Sequence, residues 1–431
     1  MTARSSLVIL GTMGRMPVAG VTWQVLHYLE GFRRLGFVVY YVEDTNTGEW
    51  LYDPDRNTLS DDPTYAVNYI HTVMSRYGFS EQWAYRAADG RVFGLSESEL
   101  HRLFERTDVL VNLTGATVLR AEHQRVPVRI YLETDPVLPQ IEVAMGSTYC
   151  IDVLNAHTHH FTYGENLGQP DCGVPVSRFA YRPTRPPVVL DWWSPTTISP
   201  GPCFTTVASW RQAGKDVEWQ GQTYTWSKHH EFLKIIELPR RTAQPLELAL
   251  AVRGHAGDGD SAWVPDDEED AEAIRVLTRH GWRVTNAMTL SREISPYRDY
   301  ILGSRGEFTV AKDQNVRLRS GWFSDRSACY LGAGRPVITQ DTAFGKFVPT
   351  GEGLFAFKGM EDIVAAFQAV NSDYERHALA ARAIAETYFK AETVLAKLGC
   401  RPARRTLSAQ SCGPRRTSSA AKPAIFRTAH P

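Results

Sequence analysis

The segment 320–344 constrains the fold of this chain more than any other. Small and polar residues stand at Ser320, Gly321, Ser324 and Asp325. An apolar run fills 328–331, a small-residue turn fills 332–334, and a β-type run follows at 336–339. This order predicts a loop, a short helix, a glycine stop and a buried strand. Such a unit is typical of an α/β protein.

The start of the predicted helix has the features of a phosphate site. Ser324 or Asp325 is a suitable N-cap, Gly334 is a suitable C-terminal stop, and Arg326 falls in the first turn. A helix that begins in a glycine- and serine-containing loop presents free backbone N–H groups and the positive end of its dipole, which favours an anion. An ordinary loop–helix–strand unit without a ligand fits the same residues.

Strands and helices alternate in two halves of the chain, and a stretch with six prolines between Arg182 and Pro202 separates the halves. We therefore predict two doubly wound, Rossmann-like domains that face a ligand cleft. The predicted boundaries are 1–190 for the first domain, 191–202 for a linker, 203–373 for the second domain and 374–400 for a C-terminal helix. Residues 401–431, rich in Ser, Pro, Ala and Arg, are predicted to form a disordered basic tail.

The composition, 43% hydrophobic and 22% charged without a long apolar run, is that of a globular protein without a membrane span. Residues 401–431 hold seven basic residues, which leaves 40 basic against 48 acidic residues in the first 400. This acidic body argues against a nucleic-acid partner. The N-terminus does not resemble a signal peptide and the six cysteines are scattered, so we expect a cytoplasmic protein with reduced thiols.

The chain opens with a predicted strand at 6–10, a glycine-rich loop at 11–20, a helix at 21–35 and a second strand that ends in Glu43 and Asp44. A loop in this position lies at the carboxyl edge of a parallel sheet, where such folds bind ligands. The glycine spacing does not fit G-x-G-x-x-G, so the signal for NAD is weak. A turn that merely needs glycine explains the loop equally well.

Two carboxylates follow the predicted strand at 128–132. Because Pro136 forces a turn, Glu133 and Asp135 are expected at the carboxyl end of this strand, facing the cleft. If they are close together, repulsion raises the pKa of one of them.

A histidine cluster lies at His157, His159 and His160. On a strand, the first two share a face and the third points away, and no partner ligand for a metal is evident. We interpret these histidines as strand-edge or acceptor-site residues.

The residues SDRSACYLGAGRPV, 324–337, resemble the donor-binding unit of GT-B glycosyltransferases. In many members a glutamate five residues before the turn glycine holds the nucleotide ribose, and here that position is Cys329. The ribose contact is therefore either lost or moved to Asp325. The resemblance implies a nucleoside-diphosphate sugar as donor, a small-molecule acceptor such as a natural product or nucleoside, and a final helix that crosses back onto the N-terminal domain.

The resemblance also implies roles for residues around the cleft. In the second half, Arg211 with Lys215 or Lys228 would neutralise the donor diphosphate. The other donor-binding candidates are Glu307, Lys312, Gly321, Ser324, Asp325, Arg326, Gln340 and Asp341. On the acceptor side, the cleft loop of the first domain would contribute Gly11, Thr12, Gly14 and Arg15, and the histidine cluster would contribute His157. Independently of the resemblance, the Asp-, Asn- and Pro-rich segment 49–69 is interpreted as a long loop that could shape the acceptor pocket.

Sugar transfer needs stabilisation of the leaving diphosphate and, if configuration inverts, a base. Asp135 is the predicted base and His159 its competitor, whereas a retaining enzyme would use neither. No metal or cofactor is predicted beyond the nucleotide sugar, because the D-x-D at 258–260 sits in an acidic loop. A nucleotide-sugar epimerase and a non-catalytic nucleotide-sugar-binding protein remain alternatives.

Overall fold

The computed structural model describes residues 5–44, 50–194, 199–212, 214–252, 254–255 and 264–399. The predicted tail at 401–431 and the D-x-D at 258–260 lie outside the described residues. Within the described ranges, no helix combines the length and the apolar content that crossing a bilayer requires.

The N-terminal domain is built on an eight-stranded sheet with the order β10-β9-β8-β7-β1-β2-β5-β6. All neighbours in it pair in parallel except β5 and β6, and β3 pairs with β4 in a separate hairpin. The strands are β1 (Ser6–Leu10), β2 (Val38–Glu43), β3 (Leu51–Asp53), β4 (Thr58–Ser60), β5 (Trp83–Arg86), β6 (Val92–Gly94), β7 (Val109–Leu113), β8 (Val128–Glu133), β9 (His159–Thr162) and β10 (Tyr181–Pro183).

Helices cover the faces of this sheet, which explains why all five residues of the central strand β1 are buried. The strand order reverses at β1, which pairs with β2 on one side and β7 on the other. The helices are α1 (Ala19–Arg34), α2 (Thr64–Arg76), α3 (Glu97–Arg106), α4 (Ala121–Gln124), α5 (Leu138–Ala144) and α6 (Thr148–Asn155). Ser96 and Glu99 form a capping box at the start of α3.

The C-terminal domain contains a six-stranded parallel sheet of order β17-β14-β11-β18-β19-β20 and two short hairpins, β12 with β13 and β15 with β16. Its strands are β11 (Phe204–Ser209), β12 (Val217–Trp219), β13 (Gln222–Tyr224), β14 (Leu246–Ala251), β15 (Gly254–His255), β16 (Val264–Pro265), β17 (Arg283–Asn286), β18 (Gly306–Thr309), β19 (Val337–Gln340) and β20 (Leu354–Phe357). Its helices are α7 (His229–Lys234), α8 (Leu238–Arg241), α9 (Glu268–Arg279), α10 (Ala287–Leu290), α11 (Ile294–Gly303), α12 (Asp313–Arg317), α13 (Asp325–Gly332) and α14 (Met360–Ser372).

The chain ends in α15 (Tyr374–Ile384), a π-helical turn (Ala385–Phe389) and α16 (Ala391–Ala396). The α16 helix returns to the N-terminal domain and packs on α1, where a Cβ at Gly31 would meet the side chain of Leu395. Arg34 of α1 donates to Glu392 of α16 at 3.2 Å. The predicted C-terminal helix is therefore interrupted rather than continuous.

The two doubly wound domains confirm the predicted fold class, but two local predictions were wrong. The segment 49–69 is not a long loop, because it contains the β3–β4 hairpin and the start of α2. The strand predicted to carry His157 and His159 on one face begins only at His159, since α6 extends to Asn155.

Candidate functional site

A cavity of about 410 Å³ opens between the carboxyl edges of the two sheets. The N-terminal domain contributes Thr114 after β7 and Asp135 after β8, and the C-terminal domain contributes Ser209 at the end of β11 and Lys312 after β18. Parallel sheets bind ligands at this edge and at the point where the strand order reverses. The position of the cavity follows from the topology of both domains.

Three cations line the wall that the C-terminal domain provides: Lys228, Lys312 and Arg326. Lys228 stands directly before α7, and burial together with the charges of Arg326 and Lys312 lowers its pKa to about 7, although the residue is only partly buried. Burial also lowers the pKa of Lys312, which is 7% exposed. A cluster of cations with so little solvent favours a ligand of high negative charge.

Arg326 is held rigidly by the interior of the C-terminal domain. Its Nε donates to Glu307 Oε1 at 2.6 Å, its Nη2 donates to Thr309 Oγ1 at 3.1 Å, and its Nη1 donates to the carbonyl of Val207. Glu307 is fully buried, so the predicted donor-binding glutamate orients Arg326 instead of lining the cavity. A guanidinium has five N–H groups, which leaves two for a ligand.

The start of α13 forms the adjoining part of the wall, as the sequence predicted. Ser324 occupies the N-cap position, yet its side chain accepts no hydrogen bond from the helix. Asp325 lines the cavity, and burial raises the pKa of its carboxyl group. Gln24 of α1 donates to Asp325 Oδ2 at 3.2 Å, so the N-terminal domain also contacts this helix start.

Cys329 occupies the position where the resemblance places a ribose-binding glutamate, and it provides no carboxylate there. Cys329 is 5% exposed, and its Sγ lies 3.6 Å from Nε2 of His27. Asp325 precedes it by one helical turn and carries the only carboxylate that the described part of α13 offers to the cavity.

Asp135 faces the cations from the other side of the cleft. Its Oδ1 accepts from Lys312 Nζ at 2.6 Å, and Lys312 Nζ also lies 3.2 Å from the ring centre of Trp226. The Asp135 side chain keeps 44% of its surface exposed. A second contact across the cleft runs from Trp322 Nε1 to the carbonyl of Thr134 at 2.9 Å.

Glu133 does not face the cleft, contrary to the prediction. Its two carboxylate oxygens each accept from Gln140 Nε2 at 2.8 Å, and one also accepts from Thr162 Oγ1 at 2.7 Å. Its pKa is raised to about 8, chiefly by burial and only slightly by Asp135. The side chain is therefore a buried carboxyl group under the sheet and not half of a catalytic pair.

The first loop also differs from its prediction, because Gly11, Thr12, Gly14 and Arg15 do not line the cavity. Glu43, at the end of β2, accepts from the backbone N–H groups of Gly14 and Arg15 at 2.7 and 2.6 Å, which folds the loop back onto its own sheet. The carboxyl group of Glu43 has its pKa raised to about 7 by burial.

Later residues of the same segment reach the cleft instead: Val18, Gly20, Val21 and Gln24 line the cavity. They form the first turns of α1 and the residue before it. The sequence singled out the glycines of this loop and missed Gln24, whose position in the second turn of a cleft-facing helix was its only signal.

Neither His157 nor His159 lies at the cleft. His159 is the first residue of β9, so it sits at the amino edge of the sheet, whereas Asp135 follows the carboxyl end of the neighbouring strand β8. His157 is buried, with Nδ1 2.7 Å from the carbonyl of Val153 and Nε2 3.1 Å from Asn112 Nδ2. Burial lowers the pKa of both histidines. These positions remove the histidines as cleft bases.

The basic residues predicted after β11 lie outside the cavity lining. Arg211 is exposed and pairs with Glu269. Lys215 Nζ stacks on the ring of Trp226, 4.6 Å from its centre, on the same ring that Lys312 contacts. Lys228, which the sequence offered only as an alternative to Lys215, is the lysine that lines the cavity.

The remaining three predicted donor residues have structural contacts. Gln340 Nε2 donates to Glu231 at 2.7 Å, and Asp341 accepts from the N–H of Ala343 at 2.8 Å. Gly321 has a φ of 78°, and a Cβ there would lie 2.5 Å from the backbone nitrogen of Asn166. Gly321 therefore lies where the two domains approach each other closely, and it does not contact the ligand cavity.

Among the described residues, one group could offer three metal ligands: Asp44, Glu122 and His123. Two arginines already neutralise these carboxylates, since Arg86 donates to Asp44 and Glu122 at 2.9 and 2.6 Å and Arg120 donates to Asp44 at 2.8 Å. An ion-pair cluster accounts for this group, and none of it lines the cavity.

No protein-family model matches the sequence, and a search of curated proteins finds no match. Solved structures match along nearly the whole chain. HepE of Anabaena in complex with UDP and glucose is 11% identical, with a TM-score of 0.54, and the match covers 92% of this chain and 98% of that one. An alpha-glucosyltransferase in complex with UDP and a 13-mer DNA is 8% identical, with a TM-score of 0.53, over 92% of this chain and 99% of the other. The chain has the GT-B fold. Two Rossmann-like domains around a cleft are what this fold provides, and the cationic cavity lies in that cleft.

Proposed function

We propose that this GT-B protein is a glycosyltransferase that moves a sugar from a nucleoside-diphosphate sugar to the hydroxyl or amine of an acceptor. The observation that carries the proposal is the convergence of Lys228, Lys312 and Arg326 with the start of α13 in one interdomain cavity. Cations and helix N–H groups stabilise the charge that develops on a leaving diphosphate. Similar structures hold UDP or UDP-glucose.

The cavity also offers a place for the nucleoside. Small and apolar residues at the strand ends of the C-terminal domain lie beside the cations, namely Ala251 at the end of β14 and Ala287 and Met288 after β17. A largely apolar surface next to a few directed polar groups suits a base and its ribose. Asp325 would accept hydrogen bonds from the ribose hydroxyls in place of the missing glutamate.

In the proposed reaction the acceptor oxygen or nitrogen forms a bond to the anomeric carbon while the bond from that carbon to the diphosphate oxygen breaks. The electron pair leaves with the diphosphate, and Asp135 takes the acceptor proton if configuration inverts. Before the donor binds, Lys312 holds Asp135 at 2.6 Å. A diphosphate would compete for that ammonium and so release the carboxylate toward the acceptor. Three protein cations supply the charge compensation that a metal provides elsewhere, which supports a metal-independent reaction.

Titration calorimetry with UDP, GDP, ADP and TDP, each with and without EDTA, tests the donor site first. We expect UDP to bind equally in both conditions. Incubation of the preferred nucleotide sugar with and without a panel of small-molecule acceptors then separates the alternatives. Acceptor-dependent release of nucleotide supports transfer, interconversion of sugars without acceptor would indicate an epimerase, and binding without turnover would indicate a binding protein.

The test of the acceptor class needs one further candidate acceptor. The acidic sequence argues for a small molecule rather than nucleic acid, but one structure of the same fold is bound to DNA. A DNA duplex therefore belongs in the acceptor panel. Sugar transfer to the duplex would contradict the small-molecule assignment and leave the transferase assignment intact.

A further inference from the structure

A second depression of about 670 Å³, which we call the tyrosine groove, lies between α2 of the N-terminal domain and the start of α11 of the C-terminal domain. Tyr65, Asn68, Tyr69 and Thr72 line it from α2, and Glu293 is among the residues that line it from the other domain. The groove borders the donor cavity, because Ser291 lines the cavity while the next residues of the chain line the groove. A hydrogen bond from the N–H of Ala19 to the carbonyl of Ser291, 2.7 Å long, lies at this border.

One helical face of α2 builds the wall of the groove. Tyr65, Asn68, Tyr69 and Thr72 recur at spacings of three and four, which places them on one side of the helix. The opposite face carries the buried residues, such as Ile70, that hold α2 to the core. The side of α2 that faces the groove is thus aromatic and polar. A helix that packed against the other domain would carry apolar residues on that side.

The stacked rings of Tyr65 and Tyr69 form an aromatic platform in the groove. The rings of Tyr65 and Tyr69 are 6.3 Å apart and inclined by 17°. The hydroxyl of Tyr69 is fixed by Thr22 Oγ1 at 2.7 Å, so its orientation is set by the protein. Rigid aromatic faces bind the C–H faces of ring-shaped ligands with little loss of side-chain entropy.

Several polar groups of the groove have no hydrogen-bond partner within the described part of the chain: the Tyr65 hydroxyl, the Asn68 amide and the Glu293 carboxylate. They provide both donors and acceptors around the platform. The formal charges cancel, because Arg292 pairs with Asp55 and the remaining Arg76 and Glu293 are of opposite sign. A neutral, polyhydroxylated ligand matches this combination better than a phosphate or another anion.

We propose that the tyrosine groove binds a neutral saccharide and serves as a subsite for an acceptor longer than one sugar. The saccharide ring would lie on Tyr65, with its hydroxyl groups bonded to Asn68 and Glu293. The acceptor role rests on the proposed transferase function, whereas saccharide binding does not.

The test is ligand-observed saturation-transfer NMR and calorimetry with maltotriose, cellotriose and chitotriose, in the absence of donor. We expect at least one trisaccharide to bind. Tyr65→Ala should lower the affinity for that trisaccharide by about tenfold, and Glu293→Gln should lower it by about threefold. Tyr65→Phe should retain most of the affinity. The matched control is Tyr149→Ala, which removes a tyrosine that is 66% exposed on α6, and it should bind the trisaccharide like the wild type.

UDP is titrated into the same proteins so that the two proposals can fail separately. If UDP binds and no trisaccharide does, or if Tyr65→Ala binds the trisaccharide like the wild type, the groove proposal is overturned and the donor site stands. If a trisaccharide binds through Tyr65 while UDP does not bind, the saccharide site stands and the acceptor role falls with the transferase function.

Discussion

Replacing Lys228 by methionine tests the donor site most directly, because the change keeps most of the unbranched side chain and removes its charged ammonium group. A charge-assisted hydrogen bond contributes about 1.5–3 kcal/mol, so the variant should bind UDP about 10- to 150-fold more weakly. The stability of the free protein should change in the opposite direction, because the variant should be more stable although it binds UDP more weakly. Burial and the repulsion from Arg326 and Lys312 lower the pKa of Lys228 to about 7. The charged form therefore destabilises the folded state below pH 7, and removing it should raise the melting temperature.

The pH dependence of binding follows from the same pKa. Lys228 loses its proton near pH 7 in the free protein, whereas a bound diphosphate favours the protonated form. The affinity for UDP should therefore fall as pH rises from 7 to 9, by up to about 50-fold if only the protonated lysine binds. The second ionisation of the terminal phosphate, with a pKa of about 6, is largely complete in this range.

The assay is calorimetry at pH 7, 8 and 9 in two buffers of different ionisation enthalpy, with wild type and Lys228→Met side by side. Proton uptake on binding should be seen above pH 7 in the wild type and be reduced in the variant. Equal UDP affinities for the two proteins, or equal pH slopes, would refute the assignment of Lys228 to the diphosphate.

Three further predictions concern the residues around this lysine. Arg326→Ala should weaken UDP binding by about 1.5–3 kcal/mol and lower the melting temperature, because it leaves Glu307 buried and unpaired; a folded variant with unchanged affinity in calorimetry would contradict the first part. Asp135→Asn should lower kcat by about 10²–10⁴ with UDP affinity preserved, and His159→Ala should turn over like the wild type, so the reverse pattern in steady-state assays would reverse the roles. Gly321→Ala should lower the free energy of unfolding by about 1–3 kcal/mol, because it combines backbone strain with a clash against Asn166. An unchanged denaturant midpoint would contradict this and would show that the backbone around Asn166 can move to accommodate the methyl group.

Elements with strong local signals were predictable to the residue. The strand predicted at 6–10, a short apolar run that ends before a glycine, occurs at these bounds. The β3–β4 hairpin was missed because its strands are only three residues long, too short to show a periodic pattern. Such strands form through pairing with each other and with the first loop, where the N–H of Tyr52 donates to the carbonyl of Arg15.

The residues of the candidate site also differ in whether the local sequence indicates their position. Ser324, Asp325 and Arg326, which line the cavity, were predicted because a helix start after such a loop has a recognisable pattern. Lys312, which also lines it, was predicted because it lies just before that segment in the chain. Gly11 to Arg15 were wrongly placed at the ligand, since the residue that decides the conformation of the loop is Glu43, almost thirty positions further along the chain. A contact of that sequence separation leaves no periodic pattern.

Three of the hydrogen bonds between the two domains are made by residues that line the cavity, which links the proposed donor site to the arrangement of the acceptor side. Lys312 bonds to Asp135 at 2.6 Å, Gln24 to Asp325 at 3.2 Å, and Trp322 to the carbonyl of Thr134 at 2.9 Å, each across the cleft. In the proposed reaction, a diphosphate between Lys228 and Lys312 would replace the first of these bonds with a charge pair on the C-terminal side alone. Asp135 then loses its partner and keeps its position at the end of β8, where it can accept a proton. In the proposed reaction, donor binding would therefore precede acceptor activation, because Asp135 is free to contact the acceptor only after Lys312 has left it.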